Sequence, residues 1–178
     1  KGLVGERTNL ITLVSGSIAD PFDAIFLNKF SARLSEKNMR LLLANASSSS
    51  DEADSGFLQA IDYKSDAVVV SAGTMPLSHS EACVKNGLPV ILMGRVVDQK
   101  GVDCVVADNT SGARMAAELL IRTGCSKLAY LGRGSATYSD RERMNGFIGE
   151  AKKAAIPVTS HTIDTAADDH RLRQDVLT

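Results

Sequence analysis

The chain has 178 residues and a formal net charge of −1, with 20 basic residues interspersed among 21 acidic ones. Binding to a nucleic-acid backbone usually needs a concentrated basic patch, and because this sequence has none, we do not expect the chain to hold DNA by itself. Hydrophobic residues make up 44% and aromatic residues 4%, so we expect an aliphatic core that fills one large domain or two small ones.

Six short runs rich in Val, Ile and Leu recur along the chain and scarcely alternate with polar residues. Such runs predict strands that are covered on both faces, as in a parallel sheet. In chain order they are Leu10–Ser15, Arg40–Ala44, Ala67–Ser71, Val90–Met93, Val102–Ala107 and Lys127–Leu131.

Five segments between and after these runs have the spacing of helices: 21–37, 51–63, 78–86, 110–123 and 140–155. In the first segment Phe22, Ile25, Phe26, Phe30 and Leu34 fall on one face, which is predicted to pack on the sheet. The alternation of strands and helices predicts an α/β fold of doubly wound parallel sheets with helices on both faces.

Capping residues agree with these helix limits. Asp20 precedes a proline and predicts a helix start, and Ser139 with Glu142 has the spacing of a capping box. Gly87 and Gly124 follow two predicted helices, where a left-handed residue commonly ends a helix.

The three cysteines, Cys83, Cys104 and Cys125, are far apart and lie in apolar surroundings. An odd number in such a pattern indicates reduced, buried thiols rather than a disulfide framework. No apolar run approaches the ~18 residues of a membrane span, and the first residues lack the apolar stretch of a signal peptide. We therefore expect a cytoplasmic protein without a membrane partner.

Polar side chains gather just after the predicted strands, and in open α/β sheets ligands bind outside the carboxyl ends of the strands. Hydroxyl, carboxylate and guanidinium groups beside an aromatic ring suit a polyhydroxylated ligand. The candidate contacts are Ser17, Phe22, Asp23, Ser71, Asp108, Asn109, Thr137, Ser139 and Arg143. For Asp20, Asn109 and Ser139, helix capping is an equally good interpretation.

Enzymatic motifs are incomplete. Gly132-Arg133-Gly134 follows a strand like half of a dinucleotide fingerprint, but position 137 is Thr instead of the third Gly. Phosphate-loop and nucleophile-elbow patterns are absent from the sequence. The histidines, at positions 79, 161 and 170, share no metal-ligand spacing, and Asp168-Asp169-His170 is better explained as a solvated face. We therefore expect no enzyme, no catalytic residue, no metal and no cofactor.

Five stretches, taken in order, resemble the effector-binding core of the LacI/GalR family of bacterial repressors. They are GERTNLITLVSGSIADPF, SDAVVVSA, GLPVILMGR, VVADNTSGARMAAELLIRTGCSKLAYLG and SDRERMNGFIGEAKKAAI, and together they cover about residues 5–157. Each motif is loose, but five in the correct order are specific.

The resemblance implies a type I periplasmic-binding-protein-like architecture with two lobes. Residues 1–8 would be the end of a hinge, 9–108 the N-terminal lobe and 109–178 a partial C-terminal lobe. A sugar-like effector would bind in the interlobe cleft, the core would form a homodimer, and an N-terminal helix-turn-helix headpiece absent from this chain would bind operator DNA. Effector binding would control that DNA binding allosterically, and Asp108 and Arg143 are expected on opposite walls of the cleft.

Site residues follow from the resemblance position by position. Phe22 and Asp23 match an aromatic pair, with Asp in place of the second Phe, and Ser71 matches a pocket position after the third strand. Asp108-Asn109 matches the family's D-N pair at the lobe crossover, and Thr137 and Ser139 match loop contacts. Arg143 matches the arginine that commonly binds sugar hydroxyls.

The sequence also departs from the family pattern. Gly124-Cys125 replaces the usual Gly-His, and the headpiece and the rest of the second lobe are missing. We therefore expect a fragment of a longer protein, whose intact mass lies well above 18.9 kDa.

Two rival functions stand beside the regulator: a periplasmic sugar receptor of a transporter, and an α/β enzyme. The enzyme would require turnover of a substrate, and the sequence offers no nucleophile or base for it. A helix-turn-helix encoded upstream would favour the regulator, whereas a signal peptide would favour the receptor. The residues do not decide between a neutral sugar, a sugar acid and a purine-type effector. They also leave open induction or co-repression, the operator, and a dimer or a tetramer.

Overall fold

The computed structural model describes residues 7–16, 21–45, 50–71, 78–133 and 137–163. The elements along the described chain are β1 (Leu10–Ser15), α1 (Pro21–Glu36), β2 (Arg40–Asn45), α2 (Ser50–Asp62), β3 (Ala67–Val70), α3 (Ser78–Lys85), β4 (Val90–Met93), β5 (Val102–Val105), α4 (Asn109–Arg122), β6 (Leu128–Arg133), α5 (Tyr138–Lys153) and β7 (Val158–Ile163). The chain divides into two compact units, residues 1–105 and 106–178. The alternation of parallel strands and helices confirms the predicted α/β class.

The first unit contains a parallel sheet with the strand order β2-β1-β3-β4-β5. The central strand β1 pairs with β2 on one side and β3 on the other, so Leu13 lies between Leu43 and Val69. Chain order reverses at β1, and in such sheets the point of reversal is where loops splay apart and ligands bind.

Alternating side chains of these strands build two cores, one on each face of the sheet. Val14, Val68 and Val70 pack with Phe57 and Ala60 of α2 on one face. On the other face Ile11, Leu13 and Val69 pack with Leu34 of α1, and partly buried Phe26 and Phe30 join them. Successive side chains of a strand point to opposite faces of the sheet, and both faces are covered here. Most positions along these strands are therefore apolar, which is why uninterrupted apolar runs predicted them correctly.

The apolar face predicted for α1 is only partly buried. Phe22 is 68% exposed and Ile25 is 60% exposed, so these two side chains do not pack on the sheet as predicted. The packing begins one turn later, with Phe26 and Leu27.

The second unit contains a parallel pair of strands, β6 and β7, together with α4 and α5. Its core is Ala117 of α4, Leu128 of β6, and Phe147 and Ala151 of α5. The other face of the strand pair is exposed: it carries Ala129, Leu131, Thr159 and His161. Sequence reasoning missed β7, because its exposed polar residues do not form an apolar run.

Helix ends agree with the predicted glycines but not with the predicted capping box. Gly87 and Gly124 adopt φ of 75° and 90°, the left-handed conformation expected after a helix. The capping box at Ser139 and Glu142 is wrong: α5 begins two residues earlier, and Thr137 is its N-cap. The predicted cap at Asp20 lies outside the described residues, as do residues 1–6 and 164–178.

The cysteines are free, with Cys83 buried and Cys104 and Cys125 half-buried. Burial raises the pKa of the Cys83 thiol to about 11, so this side chain stays protonated and packs as a small apolar group. Within the described ranges, no helix is long and apolar enough to cross a membrane.

Candidate functional site

In the first unit, Ser71 lies at the reversal point of the sheet. It directly follows β3, and its backbone N–H donates to the carbonyl oxygen of Val14 in β1 at 2.9 Å. The Ser71 hydroxyl oxygen is buried and has no hydrogen-bond partner among the described residues. Because an unsatisfied buried hydroxyl is costly, this oxygen is well placed to be satisfied by a ligand.

Phe22 and Asp23 lie in the first turn of α1, at the same carboxyl edge of the sheet. The exposed ring of Phe22 offers an apolar surface, and the helix dipole favours the Asp23 carboxylate in this turn. Ser17, the other candidate of this unit, lies outside the described residues.

A cavity of about 220 Å³ in the first unit does not belong to this edge. It is lined by the end of α2 and the turns that precede β3 and β4, including Lys64, Ser65, Gly87 and Leu88. Those turns lie at the amino ends of the strands, opposite to the edge where α/β sheets bind ligands.

In the second unit, Asp108 is the N-cap of α4. Its Oδ1 accepts from the backbone N–H of Ser111 at 3.0 Å. This hydrogen bond holds the pKa of the Asp108 carboxyl below its ordinary value, so the group is ionised at neutral pH. Asn109 is the first residue of the helix rather than its cap, and its Nδ2 donates to the carbonyl oxygen of Ala107 at 3.1 Å.

Arg143 is held between the starts of α4 and α5. Its Nη1 donates to Asn109 Oδ1 at 2.8 Å, and its Nη2 donates to Asp140 Oδ1 at 2.5 Å. The Arg143 side chain remains 41% exposed, whereas Asp140 is 13% exposed. A guanidinium carries five N–H groups, so Arg143 is oriented by these two bonds while it retains donors for a ligand.

Thr137 completes this network from the start of α5. Its Oγ1 accepts from the backbone N–H of Asp140 at 3.2 Å and donates to Asp140 Oδ2 at 2.7 Å. Ser139 is the second residue of the helix. The threonine thus fixes the carboxylate that in turn fixes Arg143.

Close packing of α4 and α5 sets the distance between Asn109 and Arg143. A Cβ at Gly146 would overlap the carbonyl oxygen of Thr110, so only glycine permits this approach. Thr110 Oγ1 also donates to Glu142 Oε2 at 2.7 Å. The two helices are therefore joined by hydrogen bonds about one turn of α5 before Gly146.

The structure brings Asn109, Thr137 and Arg143 into one network, and Asp108 adjoins it in the chain. Asp108 and Arg143 belong to the same unit, so the prediction that they face each other from opposite walls is wrong. Sequence reasoning missed Asp140, although its spacing of three residues from Arg143 on one helix was an available signal. No group of His, Cys, Asp or Glu within the described ranges could hold a metal ion.

Comparison with known proteins identifies the family. A family model described as periplasmic binding proteins and sugar binding domain of LacI family matches residues 8–178. The chain therefore belongs to this family, which confirms the resemblance seen in the sequence.

Curated relatives are regulators of transcription rather than enzymes. The chain is 23% identical over 164 residues to the HTH-type transcriptional regulator DegA of Bacillus subtilis, covering 90% of this chain and 49% of that protein. It is 24% identical over 178 residues to the maltose regulon regulatory protein MalI of Escherichia coli, covering 99% and 52%. The chain spans about half the length of the curated relatives it matches.

Solved structures show the same fold. A LacI transcriptional regulator from Lactobacillus brevis superposes with a TM-score of 0.81 at 18% identity, covering 94% of this chain and 63% of that one. A periplasmic binding protein/LacI transcriptional regulator from Alkaliphilus metalliredigens, complexed with D-xylulofuranose, superposes with a TM-score of 0.77 at 17% identity, covering 88% and 57%.

Proposed function

We propose that this chain is the ligand-sensing core of a LacI-type transcriptional repressor. In this proposal a small sugar-like effector binds the core of a cytoplasmic homodimer, and operator DNA is bound by a helix-turn-helix headpiece of the complete protein. Residues 1–8, 9–108 and 109–178 are assigned to the hinge end, the N-terminal lobe and a partial C-terminal lobe. Family membership and the regulatory relatives support the proposal.

The arrangement of Arg143 carries the ligand-binding part of the proposal. Its guanidinium is oriented by Asn109 and Asp140 and stays accessible, so a ligand need not order it. The N–H groups of the planar guanidinium can donate side by side, which suits pairs of neighbouring hydroxyl oxygens on a sugar. The candidate contacts of the first unit, Phe22, Asp23 and Ser71 together with Ser17, stay predictions, as does a single effector that contacts both units.

Control of DNA binding requires that the effector prefer one conformation. A ligand shifts a conformational equilibrium only by its differential affinity for the two states. By linkage, the same coupling free energy weakens or strengthens operator binding, and typical values are about 1–3 kcal/mol.

A thermal-shift screen with monosaccharides, sugar acids and nucleobases tests the sensing function. An effector present at a concentration of about 100 times its Kd stabilises the folded protein by about 2.7 kcal/mol, so the increase in melting temperature should be readily measurable. Arg143→Ala should abolish the shift without unfolding the second unit. Arg33→Ala is the matched control, because Arg33 also pairs with a carboxylate at i,i+3 but lies in α1. An effector shift that survives in Arg143→Ala would remove this residue from the site.

A periplasmic sugar receptor is the alternative, because the family description names periplasmic binding proteins as well. The two functions differ in their macromolecular partner. Binding of the full-length protein to DNA upstream of its own gene, released or enhanced by the effector, would support the regulator; an effector-binding protein indifferent to that DNA would support the receptor.

A further inference from the structure

The Asp140 carboxylate compensates the charge of Arg143 before any ligand arrives. One carboxylate oxygen accepts from Arg143 at 2.5 Å, and the other accepts from the Thr137 hydroxyl at 2.7 Å. The ion pair is also less exposed than the pair of Arg33 and Glu36, whose side chains are 77% and 59% exposed. Arg143 is therefore not an uncompensated cation.

Helix capping does not require this carboxylate. The N-cap of α5 is Thr137, and the group that donates to its Oγ1 is the backbone N–H of residue 140, which any residue except proline supplies. What the Asp140 side chain adds is a negative charge fixed against the guanidinium.

The other charged residues near the ion pair of Asp140 and Arg143 also leave no excess of positive charge. The first two turns of α4 and α5, with their caps, carry three carboxylates and three guanidiniums: Asp108, Asp140, Glu142, Arg114, Arg141 and Arg143. These formal charges cancel. The described part of this surface thus offers polar groups to a ligand without a net positive charge.

We propose that Asp140 is a specificity-determining residue that makes this site select neutral polyhydroxylated ligands over anionic sugars such as sugar acids and sugar phosphates. This inference rests on the proposed function and extends that function by naming the class of ligand. A neutral sugar can accept from the remaining donors of Arg143 without meeting repulsion. An anionic group on the same guanidinium meets the negative charge of Asp140 a few ångströms away, which disfavours it by about tenfold.

The test compares matched ligands that differ by one anionic group, using the full-length protein and isothermal calorimetry. The probes are D-ribose with D-ribose 5-phosphate, and D-glucose with D-glucuronate. In the wild type, the neutral member of a pair should bind at least as tightly as its anionic partner. In Asp140→Asn, which keeps the shape and an acceptor for Thr137, the ratio should move about tenfold toward the anionic member.

Glu150→Gln is the matched control. Glu150 lies on the same helix, pairs with Lys153 at i,i+3 and is 17% exposed, so this variant also removes one negative charge from a partly buried ion pair of α5. Its ligand ratio should equal that of the wild type. Tighter binding of the anionic member by the wild type, or an equal ratio in Asp140→Asn, would overturn the proposal.

A second measurement separates this proposal from the sugar-sensing function. Inorganic phosphate is titrated at constant ionic strength while the Arg143 Nε–H resonance is followed by NMR. The resonance should move saturably in Asp140→Asn and not in the wild type, and equal movement in both would overturn the charge selectivity. If no sugar binds, the proposed function fails, and the phosphate titration still decides the role of Asp140.

Discussion

Two serines of the first unit have buried hydroxyl groups with opposite surroundings. The hydroxyl of Ser65 lies 2.7 Å from the hydroxyl of Thr12, so each satisfies the other inside the core. The hydroxyl of Ser71, at the carboxyl edge, has no such partner within the described part of the chain. The same side chain is therefore structural at one end of β3 and available to a ligand at the other.

Replacing each serine by alanine should have opposite effects on the free energy of unfolding. Ser71→Ala removes an unsatisfied polar group and should leave the unliganded protein unchanged or more stable by about 1 kcal/mol, while it reduces the effector-induced thermal shift. Ser65→Ala leaves Thr12 unpaired and should destabilise by about 1–3 kcal/mol. Urea unfolding measures both. Equal destabilisation by the two changes would show that Ser71 has a structural partner.

The cap of α4 should give the protein an acid-sensitive contribution. The bond from Ser111 keeps the pKa of Asp108 below its ordinary value, so its contribution is fully present above the unfolded-state pKa of about 3.9. It is lost as the pH falls through the lower folded-state pKa. Asp108→Asn keeps an acceptor but does not titrate, so its deficit against the wild type should shrink as urea unfolding is repeated at falling pH. A constant deficit would contradict the assignment of the charge effect to Asp108.

Single residues of the site were predictable where they follow an apolar run. Asp108 and Asn109 were predicted in this way, since strand ends and helix starts are visible in the sequence, whereas the role of Arg143 was predicted from the family resemblance. Asp140, the partner of Arg143, was missed, although the two residues are three apart on one helix, because the same spacing occurs in many pairs and only the rotamers show which of them form. Thr137 and Asp140 repeat the spacing of Ser139 and Glu142, so only the backbone decides which hydroxyl caps α5.

Elements were predictable to the extent that they are buried. The strands of the first unit lie between two cores, and their apolar runs gave limits within two residues of those observed. The strand β7 differs because four of its residues are polar and exposed: Thr159, Ser160, His161 and Thr162. Such residues form no apolar run from which a strand could be predicted. The packing of α4 against α5 depends on a feature of another kind, the glycine at position 146, where an added Cβ would overlap the Thr110 carbonyl.

Gly146→Ala should destabilise the second unit, because the added methyl overlaps the Thr110 carbonyl and α5 must move away from α4. We expect a loss of about 1–3 kcal/mol and a weaker effector response, since Arg143 moves with its helix. Gly149→Ala is the control on the same helix: nothing lies within 4 Å of its added Cβ, so the protein should gain about 0.5–1 kcal/mol. A neutral Gly146→Ala in thermal and urea unfolding would show that the helices are not in close contact in solution.

The two units differ in how completely each covers its own sheet. Among the described residues, ten buried side chains pack on one face of the first sheet and four on the other. In the described part of the second unit, four buried side chains lie on one face of two strands, and two of the four are alanines. The alternation of strands and helices is common to both and was readable from the sequence. The incomplete burial of the second sheet could not be predicted from the sequence, because it depends on whether helices pack on one face of the sheet or on both.

Residues 1–105 should therefore fold alone, whereas residues 106–178 should not. The first fragment has a five-stranded sheet with two cores, and we expect a sigmoidal urea transition with a slope of about 1 kcal/mol per molar. The described part of the second fragment has a two-stranded sheet with a small core, which is marginal in water. We therefore expect this fragment to unfold gradually and to bind a hydrophobic dye through exposed Leu131, Met115 and Leu119. A cooperative transition in the second fragment would contradict this prediction. It would mean that this fragment is stable without any further element packed on the exposed face of its strands.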